Sequence, residues 1–163
     1  MEKDRLKFTI GRFDHYYDSV NNKCTVMLTL STFIVGGLIA SYPILAEKVD
    51  CGPCFHGLMI SLLGLGLAIM ITVTSASIPF LSGRSNSLLF WRDIAGITET
   101  AFNTQSQAES AVDALNDLRS QTYHLACGLG SKFKLLRVVG YLMIIQFFLF
   151  IPLFLVIICN IKK

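Results

Sequence analysis

Three long apolar runs divide the chain. They cover residues 24–45, 57–78 and 138–159, and none of them contains Asp, Glu, Lys or Arg. At a rise of about 1.5 Å per residue, a helix of this length crosses a hydrocarbon core of about 30 Å. The alternative, buried helices of a soluble protein, would leave too little polar sequence to cover three such runs. The pattern therefore predicts three transmembrane helices.

Residues 1–23 show a helical pattern of a different kind. Their apolar side chains recur at alternating steps of four and three, which places them on one face of a helix. We predict an amphipathic helix that runs directly into the first span. The residues on its apolar face are Leu6, Ile10, Phe13, Tyr17 and Val20.

The segment 79–137 predicts a helical hairpin between the second and third spans. Its first arm covers 88–102, and the connection lies at 103–107, where Thr104 and Gln107 fit a capping box that satisfies free N–H groups at a helix start. The first arm is expected to bury one stripe of side chains. They are Leu88, Leu89, Trp91, Ile94, Ala95 and Thr98.

The second arm carries an apolar seam that repeats about every 3.5 residues, as in a coiled coil. If it continues into the third span, the helix is about 50 residues long, with Gly128 and Gly130 as a weak point or hinge. The fold class is thus an all-α membrane protein, with three transmembrane helices and a helical bundle outside the membrane. We expect an oligomer, such as a tetramer, because one chain gives a thin core, with a monomeric bundle as the alternative. The seam residues are Ala108, Ala111, Leu115, Leu118, Thr122, Leu125, Leu129, Phe133 and Leu136.

Composition and charge agree with this pattern and add an orientation. The chain is 53% hydrophobic and 15% charged, whereas soluble domains carry about 25% charged residues. Lys and Arg concentrate in residues 1–23 and 79–137, while the 46–56 loop has only Lys48. By the positive-inside rule, the first two segments are cytoplasmic, and the 46–56 loop and the 160–163 tail lie on the other side.

The stretch Cys51-Gly52-Pro53-Cys54 matches the tetrapeptide of thioredoxin-like redox enzymes. Here it lies in a short loop between two spans, without the α/β domain that activates such a thiol. With His56 it offers only three metal ligands. We expect a turn, with a local disulfide if the loop faces an oxidising compartment. Redox catalysis remains the alternative.

The sequence offers no other constellation of catalytic residues, and we expect neither enzyme activity nor a metal site. A phosphate-binding glycine loop is not indicated, because Gly64 and Gly66 lie inside an apolar span, where small residues allow close helix packing. Three carboxylates of the 79–137 segment are expected at exposed helix positions. They are Asp93, Asp113 and Asp117.

Three stretches and the order of the spans are similar to a known family. NNKCTVMLTLSTFIVGG resembles an Asp-x-Lys-Ala opening of the first span, with Lys23 in place and with Asn21 and Cys24 where Asp and Ala are usual. SLLFWRDIAGIT resembles a Phe-Phe-x-x-Ile segment, and QTYHLACGLGSKFKLLR resembles Gln-x-x-x-Leu followed by Lys-aromatic and Leu-Arg. In these features the chain resembles the Pycsar-type transmembrane effectors of bacterial antiphage defence. The matching positions of the last two stretches are Phe90, Trp91, Asp93, Ile94, Gln121, Leu125, Lys132, Phe133, Leu136 and Arg137.

The resemblance implies a membrane effector that is silent until a nucleotide signal changes its state, after which it breaches the bacterial inner membrane. A related arrangement is the Hailong system, in which an oligonucleotide made by a nucleotidyltransferase restrains a membrane effector. The expected partners are therefore further copies of the chain, the lipid bilayer, and the product of a nucleotide cyclase or nucleotidyltransferase. The N-terminus would be cytoplasmic and the 46–56 loop periplasmic.

A nucleotide needs cationic groups for its phosphate and an aromatic or amide surface for its base. Arg92 and Arg119 are the strongest phosphate candidates, because Lys132 and Arg137 lie close to the membrane, where basic residues also anchor to lipid headgroups. A solvated helix face is the alternative for both arginines. The full set of candidate ligand-binding residues is Trp91, Arg92, Arg119, Gln121, His124, Lys132 and Arg137.

A pore needs polar side chains within the spans. Most hydroxyls there are expected to bond back to their own helix, whereas Gln146 would be costly in lipid and should face another helix or a lumen. Pro152 should kink or bend the third span. The candidate pore or packing residues are Thr29, Thr32, Ser75, Gln146 and Pro152.

Two functions follow as hypotheses. The first is an oligomeric, nucleotide-controlled membrane effector that forms or gates an ion-conducting pore in antiphage defence. The alternative is a non-conducting membrane adaptor or scaffold that recruits partners through its cytoplasmic coiled-coil-like helix.

Overall fold

A computed structural model describes residues 1–49, 52–78 and 87–160. The regular structure of these residues is helical throughout, as the sequence predicts. The five helices are α1 (Glu2–Lys48), α2 (Pro53–Ser77), α3 (Trp91–Ala95), α4 (Glu99–Ala108) and α5 (Ala111–Cys159).

Three of these helices, α1, α2 and α5, are long and apolar enough to cross a membrane. They contain the three predicted spans. The amphipathic N-terminal segment and the first span form one helix of 47 residues, as predicted. Helix α2 begins at Pro53, four residues before the apolar run, because the fixed backbone angle of proline suits the first turn of a helix.

Helix α5 has 49 residues, close to the predicted 50, and joins the second arm to the third span. Gly128 and Gly130 do not interrupt it. Pro152 also lies inside the helix, which continues to Cys159.

The prediction that residues 88–102 form one helical arm of a hairpin is wrong. Helix α3 has only five residues and ends at Ala95, directly before Gly96, and a separate helix, α4, then crosses the predicted connection at 103–107. The break arises because glycine is a poor helix former and because Thr98 caps α4, its Oγ1 accepting a hydrogen bond from Ala101 N at 3.3 Å.

The predicted capping box at Thr104 is also wrong. Thr104 lies inside α4 and donates its hydroxyl to the Thr100 carbonyl at 2.8 Å. The chain turns instead at Glu109 and Ser110, between α4 and α5. Ser110 Oγ accepts a hydrogen bond from Asp113 N at 3.1 Å and donates to Asp113 Oδ2 at 2.6 Å. Ser110 therefore caps α5.

The chain forms two compact units. The first unit comprises Met1–Ser19 and Pro79–Lys132, and the second unit comprises Val20–Ile78 and Phe133–Lys163. Both α1 and α5 contribute residues to each unit.

The second unit holds the apolar parts of α1, α2 and α5. Its core is a cluster drawn from all three helices, and many of its remaining apolar side chains are exposed, as expected of surfaces that contact lipid. The buried members of the cluster are Leu38, Phe55, Met59, Leu62 and Leu153.

Candidate functional site

A buried hydrogen-bond cluster centres on Ser87 in the first unit. The Ser87 side chain is 2% exposed, and its hydroxyl donates to Asp117 Oδ2 at 2.8 Å. The same oxygen accepts hydrogen bonds from Gln121 Nε2 at 2.8 Å and from the backbone N–H groups of Leu89 and Phe90, both at 3.1 Å. One hydroxyl thus fixes the chain before α3 and ties it to α5. We call Ser87, Asp93, Asp117 and Gln121 the Ser87 cluster.

Asp117 is buried, so the expectation that it is exposed is wrong. Besides Ser87 Oγ, its Oδ2 accepts a hydrogen bond from Leu88 N at 3.1 Å. Its other oxygen, Oδ1, is buried without a hydrogen-bond partner among the described residues. Buried carboxylates are uncommon unless they are hydrogen-bonded, and here the bonds come from a segment 29 and 30 residues earlier in the chain.

Asp93 belongs to the Ser87 cluster through the backbone of Ser87. Its Oδ2 accepts a hydrogen bond from Ser87 N at 2.9 Å. The cluster therefore joins Asp93 of one family-like stretch to Gln121 of another. Because the Gln121 amide is buried and already bonded to Ser87 Oγ, this predicted ligand residue holds the fold in the structure described.

Arg119 forms a two-pronged ion pair with Glu2 in the first unit. Its Nε donates to Glu2 Oε1 at 2.9 Å and its Nη2 to Glu2 Oε2 at 2.8 Å. A third nitrogen, Nη1, donates to Asn116 Oδ1 at 3.0 Å. The hydrogen bond from Arg119 lowers the pKa of Glu2 below its ordinary value, and the pKa of Arg119 is raised in turn.

Tyr17 makes a second contact between α1 and α5 in the first unit. Its hydroxyl donates to the Leu125 carbonyl at 2.9 Å, and burial raises the pKa of Tyr17. The sequence places Tyr17 on the apolar face of the N-terminal helix, and the structure agrees. Its hydroxyl supplies a polar anchor that the spacing of apolar residues does not reveal.

The remaining ligand candidates are dispersed. Trp91 is 62% exposed and Leu89 is 53% exposed, and Ala95 and Thr98 are exposed as well, so the predicted buried stripe of the first arm is wrong at these four positions. Arg92 is also exposed, and His124 is half-buried with its ring 5.9 Å from that of Tyr123. The stripe fails because residues 88–102 do not form one helix: α3 covers only Trp91–Ala95, and Thr98 is the cap of the separate helix α4.

The ligand candidates on α5 face different ways. Arg119 and Gln121 are two residues apart, so they lie on different sides of the helix and bond to different partners. Lys132 is buried in the first unit. Arg137 is exposed and belongs to the second unit.

Three hydroxyl candidates for a pore are exposed on the second unit. Thr32 Oγ1 donates to the Leu28 carbonyl at 2.8 Å, and Ser75 Oγ donates to the Ile71 carbonyl at 2.9 Å. Both thus bond back to their own helix, as expected from the sequence. The third, Thr29, is exposed on α1.

Gln146 is fully buried among the three spans. Its Nε2 lies 3.4 Å from the Leu62 carbonyl of α2, and its Oε1 is buried without a partner in the described residues. A side chain at Gly66 would overlap Val35 Cγ2 of α1 and come within 3.1 Å of Gln146 Nε2. Gln146 therefore packs against a neighbouring helix at a point where α1, α2 and α5 come close together.

The Cys-Gly-Pro-Cys stretch is described only in part. Cys51 lies outside the described residues, while Cys54 is exposed at the start of α2. Nearby, the Tyr42 hydroxyl and His56 Nδ1 are 3.2 Å apart. The redox and disulfide hypotheses for this loop stay untested.

Sequence reasoning missed Glu2 and Ser87, and it counted Ser31 among the polar residues of the first span without predicting its burial. Ser31 is buried on α1, and its hydroxyl has no partner in the part of the chain that is described. Glu2 pairs with Arg119, and Ser87 bonds to Asp117 and Gln121 besides its near neighbours, so these partners lie far away along the chain. The stretch SGRSNS (82–87) has the composition of a turn and ends on Ser87, which is a weak local signal, because such serines often cap the following residues.

Comparison with known proteins gives one finding. A family model described as the Pycsar effector protein domain matches residues 5–159. No curated protein and no solved structure matches the chain. The matched region contains all three apolar runs and the segment 79–137 between the last two. Because the match extends over nearly all of its 163 residues, the chain belongs to the Pycsar effector protein domain family.

Proposed function

We propose that the chain is an antiphage-defence membrane effector whose state is set by a nucleotide signal. In its active state it assembles as a homo-oligomer into a pore or ion channel and disrupts the bacterial inner membrane, without catalysing a reaction. The observation that carries this proposal is the family match over residues 5–159. The three helices suited to crossing a membrane support it.

The distribution of Lys and Arg supports the proposed orientation. Residues 1–23 and 79–137 carry 11 of the 14 Lys and Arg residues, against one in the 46–56 loop. With the N-terminus in the cytoplasm, the first unit meets a nucleotide made inside the cell.

The nucleotide is proposed to bind the first unit, through some of its cationic and aromatic groups, and to favour one of two states of the chain. A ligand shifts such an equilibrium only by binding one state more tightly than the other. Helices α1 and α5 belong to both units, so they are the elements through which a change in the first unit can reach the spans. The candidate residues are Trp91, Arg92, Arg119, His124 and Lys132, together with Arg137 of the second unit.

The proposed oligomer rests on the surface of the second unit. This surface carries three exposed residues with hydroxyl groups among its apolar side chains: Thr29, Thr32 and Ser75. In a symmetric assembly these residues can turn toward neighbouring copies or a lumen while the apolar surfaces face lipid. Gln146 is buried on α5 and Pro152 is half-buried on the same helix, and exposure of Gln146 to a lumen would require the spans to rearrange.

Induced expression in bacteria tests the proposal. The chain is expressed alone, with a nucleotide cyclase, or with a nucleotidyltransferase, and membrane potential is followed with a voltage-sensitive dye. We expect the active enzyme to change the extent of depolarisation: depolarisation increases if the nucleotide activates the chain and decreases if the nucleotide inhibits it. A catalytically inactive enzyme is the matched control. Unchanged potential in every combination would contradict the proposal.

The alternative function is that of a non-conducting adaptor that recruits a partner through the first unit. Exposed apolar side chains on this unit favour it, since a protein partner would cover them. Phe8, Val112 and Tyr123 are each at least 66% exposed. An adaptor leaves the membrane potential unchanged in all of these strains while a partner protein still co-purifies with the chain.

A further inference from the structure

The guanidinium of Arg119 is held in a geometry that suits an oxyanion. Two of its nitrogens point at the two oxygens of Glu2, at 2.9 and 2.8 Å, and the third nitrogen is fixed by Asn116 Oδ1 at 3.0 Å. The fork of an arginine binds carboxylate and phosphate with the same pair of parallel hydrogen bonds. The Glu2 carboxylate thus occupies a place that a phosphate group also fits.

A second cation lies beside the same carboxylate. Arg5 lies one turn after Glu2 on α1, and its charge contributes to the lowered pKa of Glu2. Its guanidinium donates no hydrogen bond to any described residue. Arg5 is therefore available to a second oxygen of an anion that replaces Glu2.

A cavity adjoins these groups. It has a volume of about 360 Å³, and the described residues that line it include Glu2 and Arg5. This volume falls within the range of about 300 to 1,000 Å³ that is usual for small-molecule sites. The space beside Glu2 and Arg5 is thus large enough for a nucleotide, and Arg119, which is not among the described lining residues, is bonded to Glu2 at its edge.

We propose that Arg119 and Arg5 bind the phosphate of the nucleotide signal, and that Glu2 is an internal carboxylate that holds Arg119 until the phosphate displaces it. This proposal rests on the proposed function and assigns its ligand site. When the phosphate takes the arginine fork, the Glu2 contact between the start of α1 and α5 is lost. Ligand binding and release of this contact are therefore the same event.

If Glu2 competes with the phosphate for Arg119, the charge of Glu2 lowers the affinity for phosphate. A purely structural ion pair would have no such effect. Neutralising Glu2 should tighten phosphate binding, whereas a structural pair would leave binding unchanged or weakened. The expected gain is about two- to fivefold, because an exposed ion pair is a weak competitor. Removing Arg119 should weaken binding about tenfold or more, since it removes both hydrogen bonds of the fork.

The test uses the full-length protein in detergent and measures binding by titration calorimetry. The probes are pyrophosphate and the 3′,5′-cyclic mononucleotides of the four bases. Glu2→Gln should bind pyrophosphate more tightly than wild type, and Arg119→Ala should bind it more weakly. Arg119→Lys keeps the charge but lacks the fork, so it should also lose affinity. Asp14→Asn, which removes a carboxylate from an exposed position of the same helix, should match wild type.

Phosphate groups also occur in lipid headgroups, so a second titration adds phosphatidylglycerol to the micelles. Glu2 precedes the first apolar run by 22 residues, and we therefore expect pyrophosphate affinity to be unaffected. Competition by the lipid would overturn the nucleotide assignment. Equal pyrophosphate affinity of wild type, Glu2→Gln and Arg119→Ala, or no binding by any of them, would overturn the site itself.

The membrane-potential assay separates this proposal from the proposed function. If Arg119→Ala still depolarises cells in response to the nucleotide-producing enzyme, the site is wrong and the effector function stands. If wild type never responds to either enzyme although the charge variants shift pyrophosphate affinity as expected, the site stands and the nucleotide-controlled function is wrong.

Discussion

Gly66 lies where α1, α2 and α5 approach one another, and its missing side chain leaves room for two neighbours. A Cβ at this position would overlap Val35 Cγ2 and crowd Gln146 Nε2. Gly64, one half-turn away on the same helix, has nothing within 4 Å of the corresponding point. Packing therefore excludes a side chain at Gly66 but not at Gly64, although both lie in the same apolar run.

This difference makes a matched prediction. Gly66→Ala should destabilise the protein by about 1 to 3 kcal/mol, because overpacking forces neighbouring side chains to move. Gly64→Ala should be neutral or slightly stabilising, because alanine favours the helix and meets no neighbour. Thermal unfolding of both variants in the same detergent checks this, and equal unfolding temperatures would contradict the packing at Gly66.

The ion pair between Glu2 and Arg119 predicts a pH dependence. The pKa of Glu2 is lowered below 4.5 in the folded protein. A group whose pKa is lowered by folding stabilises the folded state above its ordinary pKa, and this contribution is lost as the pH falls through the lowered value. The stabilising effect of Glu2 should therefore be full at neutral pH and disappear below pH 4.5.

Unfolding temperatures of wild type and Glu2→Gln between pH 7 and pH 3 measure this effect. Wild type should be slightly more stable at neutral pH, with the small difference expected of an exposed pair, and the two should converge in acid. Asp14→Asn provides the control for a change of charge without a bonded partner. A difference that grows as the pH falls would contradict the ion pair.

At the scale of elements, the Ser87 cluster joins the chain before α3 to α5. The Ser87 hydroxyl serves two side chains and two backbone N–H groups at once, so its loss leaves buried polar atoms without partners. Each buried polar group that loses its hydrogen bond costs about 1 to 3 kcal/mol. The cluster should therefore contribute more to the stability of the first unit than its size suggests.

Ser87→Ala should accordingly destabilise the protein by about 1 to 3 kcal/mol or more. Ser120→Ala is the matched control, since Ser120 lies on α5 and its hydroxyl makes no hydrogen bond with a described residue. Thermal unfolding and limited proteolysis near residue 90 give the measurement. Similar behaviour of the two variants would show that the cluster contributes little.

Helix α5 shows which features of an element the sequence can predict. Its length follows from an apolar seam and an apolar run that share one register. The buried side of the helix also carries two polar residues that are 14 residues apart, Lys132 and Gln146, between the buried Leu118 and Leu153. Burial of Gln146 could be predicted because an exposed amide in lipid is costly.

Other features depended on partners distant along the chain. Local sequence predicts an exposed Asp117 because its neighbours do not reveal Ser87 and Leu88, which donate its hydrogen bonds from 30 and 29 residues away. The division into α3 and α4 was missed because Gly96 and Thr98 are weak local signals inside a stretch with helical spacing. Local pattern thus predicted the long helices, whereas the polar contacts of the first unit required the structure.

At the scale of the whole molecule, the chain combines three apolar helices with a polar unit and belongs to a family of antiphage effectors. The central claim is that a nucleotide signal controls whether these helices let ions cross a membrane. Both α1 and α5 extend from the first unit into the second, so the proposed ligand-binding unit and the apolar unit share two continuous helices.

Ion flux from proteoliposomes tests this claim most directly. The purified full-length protein is reconstituted into vesicles that contain a fluorescent ion indicator. Nucleotides are extracted from cells that express the nucleotide cyclase or nucleotidyltransferase, and the extract is added outside or inside the vesicles. We predict that this extract changes the ion flux, whereas an extract from cells that carry the inactive enzyme leaves the flux unchanged. Vesicles that hold the protein in the bilayer yet show the same flux with both extracts, or none with either, would contradict it.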